Sequence, residues 1–192
     1  MTLAHAANNW GLYNSLSWTP TFYAEQYGLN VKESAFLSVL PSVAGAIGGI
    51  VAGSVADKII VSLNSNLKEN DTMDSVSIST NVRKTFQAIA LFGPGLCLLT
   101  LSSHIPDQPL TAQALLTGTV GLQAFNAAGY GAATQEKAGE KWSGLLYSIT
   151  SLPGVMFGSL GVYVTGQILD ATSQDWSIVW GLTGCINILG AL

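Results

Sequence analysis

Charged side chains are scarce in this sequence. Its 192 residues include 7 lysines and arginines and 11 aspartates and glutamates, so that charged residues make up 9% of the chain. Ordinary soluble domains contain about 25%. Hydrophobic residues account for 48%, and the mean hydropathy is +0.40. This composition argues against a soluble domain and is typical of a protein that lies in a lipid bilayer.

The sequence also lacks the features of several functional classes. It has no run of basic residues and a formal net charge of −4, which argues against nucleic acid as a partner. Its two cysteines, Cys97 and Cys185, lie in apolar stretches and are interpreted as small buried hydrophobic residues. There is no glycine-rich phosphate loop, His and Cys cluster or Ser/His/Asp set. We therefore predict that the chain is not an enzyme and needs neither a cofactor nor a catalytic metal.

Long apolar stretches recur along the chain. Since a helix needs about 20 mostly apolar residues to cross a bilayer, we predict an all-α membrane protein with six spanning helices, at residues 2–23, 34–56, 85–103, 110–133, 142–169 and 176–192. The first is the least apolar, and a soluble amphipathic helix is its alternative. The sixth has no closing charge or aromatic belt, and it is too short for a hydrocarbon core about 30 Å thick. We expect this last helix to be truncated.

Basic residues fall mainly on one side of the predicted membrane. Six follow the second or fourth span and one lies on the other side: Lys58, Lys68, Arg83, Lys84, Lys137 and Lys141 against Lys32. Because cytoplasmic segments are enriched in lysine and arginine, both segments should face the cytoplasm or the equivalent side of an organelle. The polar stretch 57–84 is accordingly predicted to be a mobile cytoplasmic loop.

The second and fifth predicted spans share a pattern. "LPSV" at 40–43 precedes "GSVAD" at 53–57, and "LPGV" at 152–155 precedes "GQILD" at 166–170, with 16 and 17 residues between proline and aspartate. Each span is the middle one of a group of three, so the two copies face opposite sides of the membrane. Nested 3+3 inverted repeats of this kind occur in each six-helix half of major facilitator transporters, although two short matches also arise by chance.

The same two spans carry regularly spaced glycines and an early proline. Small residues four positions apart let helix backbones approach closely, and prolines favour the bends with which transporters open and close a cavity. We interpret these residues as sites of helix packing or bending: Pro41, Gly45, Gly49, Pro153, Gly154 and Gly158.

The first span contains four polar side chains, His5, Asn8, Asn9 and Asn14. Polar groups within a bilayer face the bundle interior or a water-filled cavity. Helical spacing places His5 and Asn8 on one face, with Asn9 about 100° away from Asn8. Two interpretations stay open. The side chains form interhelical hydrogen bonds, or they line a cavity in which amides donate to an anion and His5 carries a charge or proton.

Several motifs resemble the anion:cation symporter family of the major facilitator superfamily. The family patterns are His-x-x-Asn-Asn-Trp-Gly-x-Tyr, Trp-x-Pro-Thr, Glu-Ser-x-Phe-Leu-Ser-x-Leu-Pro and Gly-x-x-Ala-Asp, and the matching positions are His5, 8–11, Tyr13, Trp18, Pro20, Thr21, 33–41, Gly53, Ala56 and Asp57. "NVRKTFQAIALFGPGLCLL" at 81–99 resembles the ninth helix of the family. "EKAGEKWSG" at 136–144 departs from the family's Asp-Ile-x-Pro-Arg-Tyr-x-Gly, with no proline and with Lys141 in place of arginine.

The resemblance implies that residues 1–192 are the carboxy-terminal six-helix half of a twelve-helix carrier, similar to plant-type plastid phosphate and organic-anion transporters. Such a carrier is a multi-pass membrane protein that moves inorganic phosphate or organic anions by alternating access, coupled to sodium ions or protons. The amino-terminal half is then a required partner, and the plastid envelope is the implied membrane. The substrate-cavity candidates are His5, Asn8, Asn9 and Tyr13.

The resemblance also implies a gate. Gly53, Asp57 and Lys58 resemble a cytoplasmic-loop motif in which an acid at a helix end pairs with a neighbouring arginine and holds the inner gate shut; Arg83 and Lys84 are the candidate partners here. The alternative function belongs to another class. It is a non-transporting half-length membrane protein that associates through its glycine faces and regulates or scaffolds a partner.

Overall fold

The computed structural model describes residues 2–65 and 72–192, which are helical almost throughout. The helices are α1 (Thr2–Tyr27), α2 (Val31–Asn64), α3 (Thr72–Ser103), α4 (Pro109–Gln123), α5 (Tyr130–Ala171) and α6 (Trp176–Ala191), with a 3₁₀ turn at Ala124–Ala127. No strand occurs in these two ranges. The prediction of an all-α protein is confirmed.

Three helical stretches are long and apolar enough to cross a membrane: Val31–Asn64, Met73–Ser103 and Pro109–Ala171, the last of which contains α4, the 3₁₀ turn and α5. Trp176–Ala191 is a shorter apolar helix. The helix α1 is not among the three, because its histidine and asparagines lower its hydropathy. The chain is a multi-pass membrane protein.

Local sequence defines the helix ends. The Asn30 side chain accepts a hydrogen bond from the Glu33 N–H at 3.0 Å, and Glu33 Oε2 accepts from the Asn30 N–H at 3.1 Å, which satisfies two free donors at the start of α2. Gly28 has a φ of +65° between α1 and α2, a conformation that costs glycine little. Asp175 starts α6 by accepting from the Ser177 N–H at 3.0 Å. These caps leave short connections between long helices.

Helix replaces most of the loop predicted at 57–84. Because α2 continues to Asn64 and α3 begins at Thr72, the prediction was wrong for residues 57–64 and 72–84; residues 66–71 lie outside the described ranges. Hydropathy detects only the part of a helix that lies at membrane depth, and both helices extend beyond it. The α3 extension contacts α5, since Ser79 Oγ donates to Glu136 at 2.9 Å.

The fourth predicted span, 110–133, is interrupted. After α4 ends at Gln123, the 3₁₀ turn follows, and α5 begins at Tyr130 and continues to a break at Gly139, where φ is +67°. Gly129 allows α3 to pass close to this interruption, because an added Cβ would lie 2.8 Å from the backbone nitrogen of Gln87. Gln87 Oε1 in turn accepts from the Tyr130 N–H at 2.9 Å. Contacts with another helix therefore stabilise the break.

Several close contacts between helices occur at glycines. The helix α1 packs on α5, α4 on α2, and α3 on α6. Three glycines of α5 meet α1 so closely that an added Cβ would lie 2.7–2.8 Å from a side-chain atom: Gly154 against His5, Gly158 against Tyr13 and Gly161 against Asn14. On α2, a Cβ at Gly48 would lie 2.3 Å from the carbonyl oxygen of Gly121 on α4, and Gly45 and Gly49 face Val120 and Ala124.

Substitution at Gly48 tests the contact between α2 and α4. In Gly48→Ala, the new Cβ meets backbone atoms of Gly121, so we expect the unfolding free energy to fall by about 1–3 kcal/mol. Gly144→Ala on α5 is the control, since no atom in the described part of the chain lies within 4 Å of a Cβ there; helix propensity should raise its stability by up to about 1 kcal/mol. Thermal unfolding in detergent micelles compares the two, and equal effects would contradict the packing argument.

Candidate functional site

His5 and Asn9 form one unit that faces α5. His5 is 5% exposed, and its ring stacks on Tyr130 with 4.0 Å between the centroids. Asn9 Nδ2 donates to the backbone oxygen of His5 at 2.9 Å and lies 3.0 Å from His5 Nε2. Both side chains pack against Gly154. The α1–α5 contact therefore holds this pair in a fixed arrangement.

Asn8 faces a different part of the bundle. It is 3% exposed and lines a cleft of about 320 Å³ together with Leu12, Ser42 and Gln123. His5 and Asn8 are both buried, His5 against Tyr130 of α5 and Asn8 beside this cleft. Spacings of three and four residues both bring side chains to one face of a helix, and the contact with α5 pairs His5 with Asn9.

Tyr13 and Asn14 continue the contact of α1 with α5. Tyr13 is half-buried against Gly158. Asn14 is fully buried; its Oδ1 accepts from Thr165 Oγ1 at 2.6 Å, and its Nδ2 donates to the Trp10 carbonyl oxygen at 2.9 Å. Asn8 Oδ1, by contrast, has no hydrogen-bond partner among the described residues. Asn14 thus links α1 to α5, whereas the side-chain oxygen of Asn8 makes no such link within the described part of the chain.

Arg83 is the centre of an ionic cluster that joins α2, α3 and α5. Its side chain is 8% exposed, and Nη2 lies 3.1 Å from Asp57 Oδ1 and 2.6 Å from Glu136 Oε1. Its Nη1 donates to the carbonyl oxygen of Ala128 at 3.2 Å. Of the two predicted partners of Asp57, the structure places Arg83 in the ion pair, while Lys84 lines an adjacent cleft of about 420 Å³ between α3 and α5.

Glu136 is the member of this cluster that the sequence analysis missed. It is the first residue of the stretch 136–144, which departs from the family pattern, and that departure was the available signal. Gly53 of the predicted motif has no atom of residues 2–65 or 72–192 within 4 Å of an added Cβ. Pro41 and Pro153 both lie within helices, Pro41 buried and Pro153 exposed.

The chemistry of these residues suits binding and movement. Within residues 2–65 and 72–192, no three His, Cys, Asp or Glu side chains are grouped as for a metal ion. The cleft beside Asn8 is lined by apolar and neutral polar residues, which donate and accept hydrogen bonds. The Arg83 cluster holds its charges in ion pairs, and such pairs separate when helices move.

Comparison with known proteins identifies relatives along nearly the whole chain, although no family model matches it. The probable anion transporter 5, chloroplastic, of Oryza sativa subsp. japonica is 33% identical over 93% of this chain and 35% of its own length. The sodium-dependent phosphate transport protein 1, chloroplastic, of Arabidopsis thaliana is 35% identical over 89% of this chain and 30% of its own length. The ascorbate transporter, chloroplastic, of the same plant is 30% identical over 100% of this chain and 32% of its own length.

These relatives confirm the resemblance to plant anion transporters. They carry the names of transporters and not of enzymes, in agreement with the prediction that the chain is not an enzyme. The chain spans about a third of the length of these relatives.

Glu136 should contribute more to the ionic cluster than Asp57. It accepts from Arg83 Nε at 3.0 Å and Nη2 at 2.6 Å and is 43% exposed, whereas Asp57 makes one contact and is 69% exposed. We expect Glu136→Gln to lower the unfolding free energy by about 1–3 kcal/mol and Asp57→Asn by less than about 1 kcal/mol. Thermal unfolding of both variants measures the difference; the reverse order would show that Asp57 is the main partner.

Proposed function

We propose that the chain forms one six-helix half of a major facilitator transporter that moves inorganic phosphate or organic anions by alternating access. The observation that carries the proposal is the similarity of nearly the whole chain to chloroplastic anion transporters. In this proposal, the membrane is that of a plastid, a cation gradient drives uptake, and the other cavity wall comes from a second six-helix half.

The packing supports a 3+3 inverted repeat formed by α1 to α3 and α4 to α6. The helix α1 packs on α5 as α4 packs on α2, and α3 packs on α6. Gly49 and Gly161, each eight residues after the proline of its helix, lie near these contacts. The two-fold axis of such a repeat exchanges α1 with α4 and α2 with α5, so that a contact between α1 and α5 is matched by one between α4 and α2, as observed.

Asn8 is the proposed anion contact on this half. Its amide is buried beside the cleft, and an amide N–H donates to anionic oxygens. Among the residues that the structure describes, no lysine or arginine lines the cleft. The positive charge that balances a bound anion therefore comes from outside the cleft lining, either from the partner half or from a co-transported cation.

The Arg83 cluster is the proposed inner gate. It connects α2, α3 and α5 through one guanidinium, so separation of these helices breaks several contacts together. Both carboxylates are partly exposed, so water replaces part of each contact when the helices separate, and a substrate-driven rearrangement can therefore open the cluster. This proposal places gating, rather than anion binding, at Asp57, Arg83 and Glu136.

Replacement of Asn8 tests the cavity assignment. In a chimera of residues 1–192 with the amino-terminal six helices of a relative, Asn8→Leu should lower uptake of labelled phosphate or ascorbate roughly ten- to a hundredfold at unchanged membrane abundance. Asn14→Leu is the matched control. It removes the bond to Thr165 and should lower abundance while sparing uptake per molecule. If Asn8→Leu behaves like Asn14→Leu, Asn8 is a packing residue.

The chain alone should not transport. One half provides one wall of a cavity and has nothing to move against, so proteoliposomes containing only these 192 residues should show no saturable, gradient-driven anion uptake. A chimera that joins the amino-terminal half of a relative to this chain should show such uptake. Saturable uptake by the chain alone would overturn the half-carrier proposal, and a chimera without uptake would favour the non-transporting alternative.

A further inference from the structure

Two side-chain amides converge between α1, α4 and α6. Gln123 is the last residue of α4 and is 1% exposed, and Asn187 of α6 is 0% exposed. Both lie against Gly11 of α1, where an added Cβ would be 2.3 Å from Gln123 Nε2 and 2.8 Å from Asn187 Nδ2. Glycine at position 11 therefore makes the room that the two amides occupy.

Neither amide has a hydrogen-bond partner within residues 2–65 and 72–192, at its oxygen or at its nitrogen. The buried hydroxyls of Ser15 and Thr183, one turn from Gly11 and from Asn187, also lack partners in these ranges. Buried polar groups are nearly always paired, because an unpaired one has lost its bonds to water and gained none in the protein. This amide cluster, Gln123 and Asn187, is therefore suited to a small polar ligand.

The backbone beside the cluster favours a cation. The helix α4 ends at Gln123, and the chain continues as a 3₁₀ turn before α5. There the carbonyl oxygens of Val120 and Leu122 share one donor, the N–H of Ala124, and each keeps a further lone pair. Interrupted membrane helices coordinate sodium ions through carbonyl oxygens of this kind. Amides and hydroxyls do not titrate near neutral pH, so the cluster has no group that would take up a proton instead.

The cluster borders the cleft that contains Asn8. Gln123, Ala124 and Asn126 line that cleft together with Asn8. A cation beside Gln123 would therefore lie close to an anion held by Asn8, and the two charges would attract each other strongly in a poorly solvated space.

We propose that the end of α4 is a sodium-ion site, with the side-chain oxygens of Gln123 and Asn187 among its ligands. The inference rests on the proposed anion transport, because it gives the coupling cation a place beside the anion. Calcium sites are built largely from carboxylates, and the amide cluster has none, which favours a monovalent ion. The bound ion supplies the positive charge that the cleft lining lacks.

Ion-dependent stability of the purified chain tests the site directly. A ligand that binds only the folded state raises stability with the logarithm of its concentration, so the thermal midpoint in micelles should rise with NaCl and not with choline chloride at equal ionic strength. Gln123→Leu and Asn187→Leu should raise the half-saturating sodium concentration roughly ten- to a hundredfold. An equal rise in choline chloride or KCl would overturn the sodium assignment.

Gln113→Leu is the matched control on the same helix. Gln113 is also buried, but it accepts from Tyr23 and donates to Thr117 at 2.9 Å, so its loss should lower the midpoint and leave the sodium response unchanged. A sodium response that persists in Gln123→Leu, or that disappears in Gln113→Leu, would contradict the proposal.

Gln123→Glu keeps the size of the side chain and adds a negative charge, so it remains informative if the leucine variants fail to fold. It should lower the half-saturating sodium concentration, and no change would overturn the assignment. The outcome is separable from that of the transport proposal. If sodium stabilises the chain but the chimera takes up no anion, the sodium site is retained and its role in coupling is rejected. If the chimera takes up anions without sodium, and sodium does not stabilise the chain, only the sodium site is rejected.

Discussion

The close approach of α1 to α5 is the constraint on which the rest of the structure depends. Helices in lipid gain little from the hydrophobic effect when they meet, so close packing and interhelical hydrogen bonds must hold them together. Gly154, Gly158 and Gly161 bring α5 into contact with α1, and the buried Asn14–Thr165 bond fixes the pair. A helix as rich in amides as α1 is stable here because its neighbours cover its polar side chains.

Hydropathy predicted where helices occur and not where they end. The polar ends of α2 and α3 are stabilised by contacts such as that between Ser79 and Glu136, which join residues far apart in sequence and leave no trace in a window average. The break after Gln123 was missed for a related reason. The break has apolar residues on both sides, so hydropathy does not detect it. It is stabilised by the close contact of α3 with Gly129.

For the candidate site, the sequence predicted which polar side chains are buried, but not which helix each one contacts. Because exposing polar groups to lipid is costly, the burial of His5, Asn8 and Asn9 followed from their position in an apolar stretch. Spacing could not decide which neighbour each would face, since that depends on where α5 has its glycines. Gln123 and Asn187 were not predicted as site residues. Each is the single amide in an apolar run, "GLQAF" and "CINIL". The cost of exposing a polar group to lipid, applied to every amide within a predicted span, would have identified them.

The segment 124–129 connects the two parts of the molecule that carry polar chemistry. It begins beside Gln123, in the amide cluster, and near its end the carbonyl oxygen of Ala128 accepts from Arg83 at 3.2 Å. Polar groups that are hydrogen-bonded to each other stabilise one arrangement of the helices. A carrier that alternates between two arrangements also needs polar groups that change their hydrogen-bond partners. In the proposed carrier, this segment joins the proposed ion site at Gln123 to the proposed gate at Arg83, because only a few backbone residues separate Gln123 from Ala128.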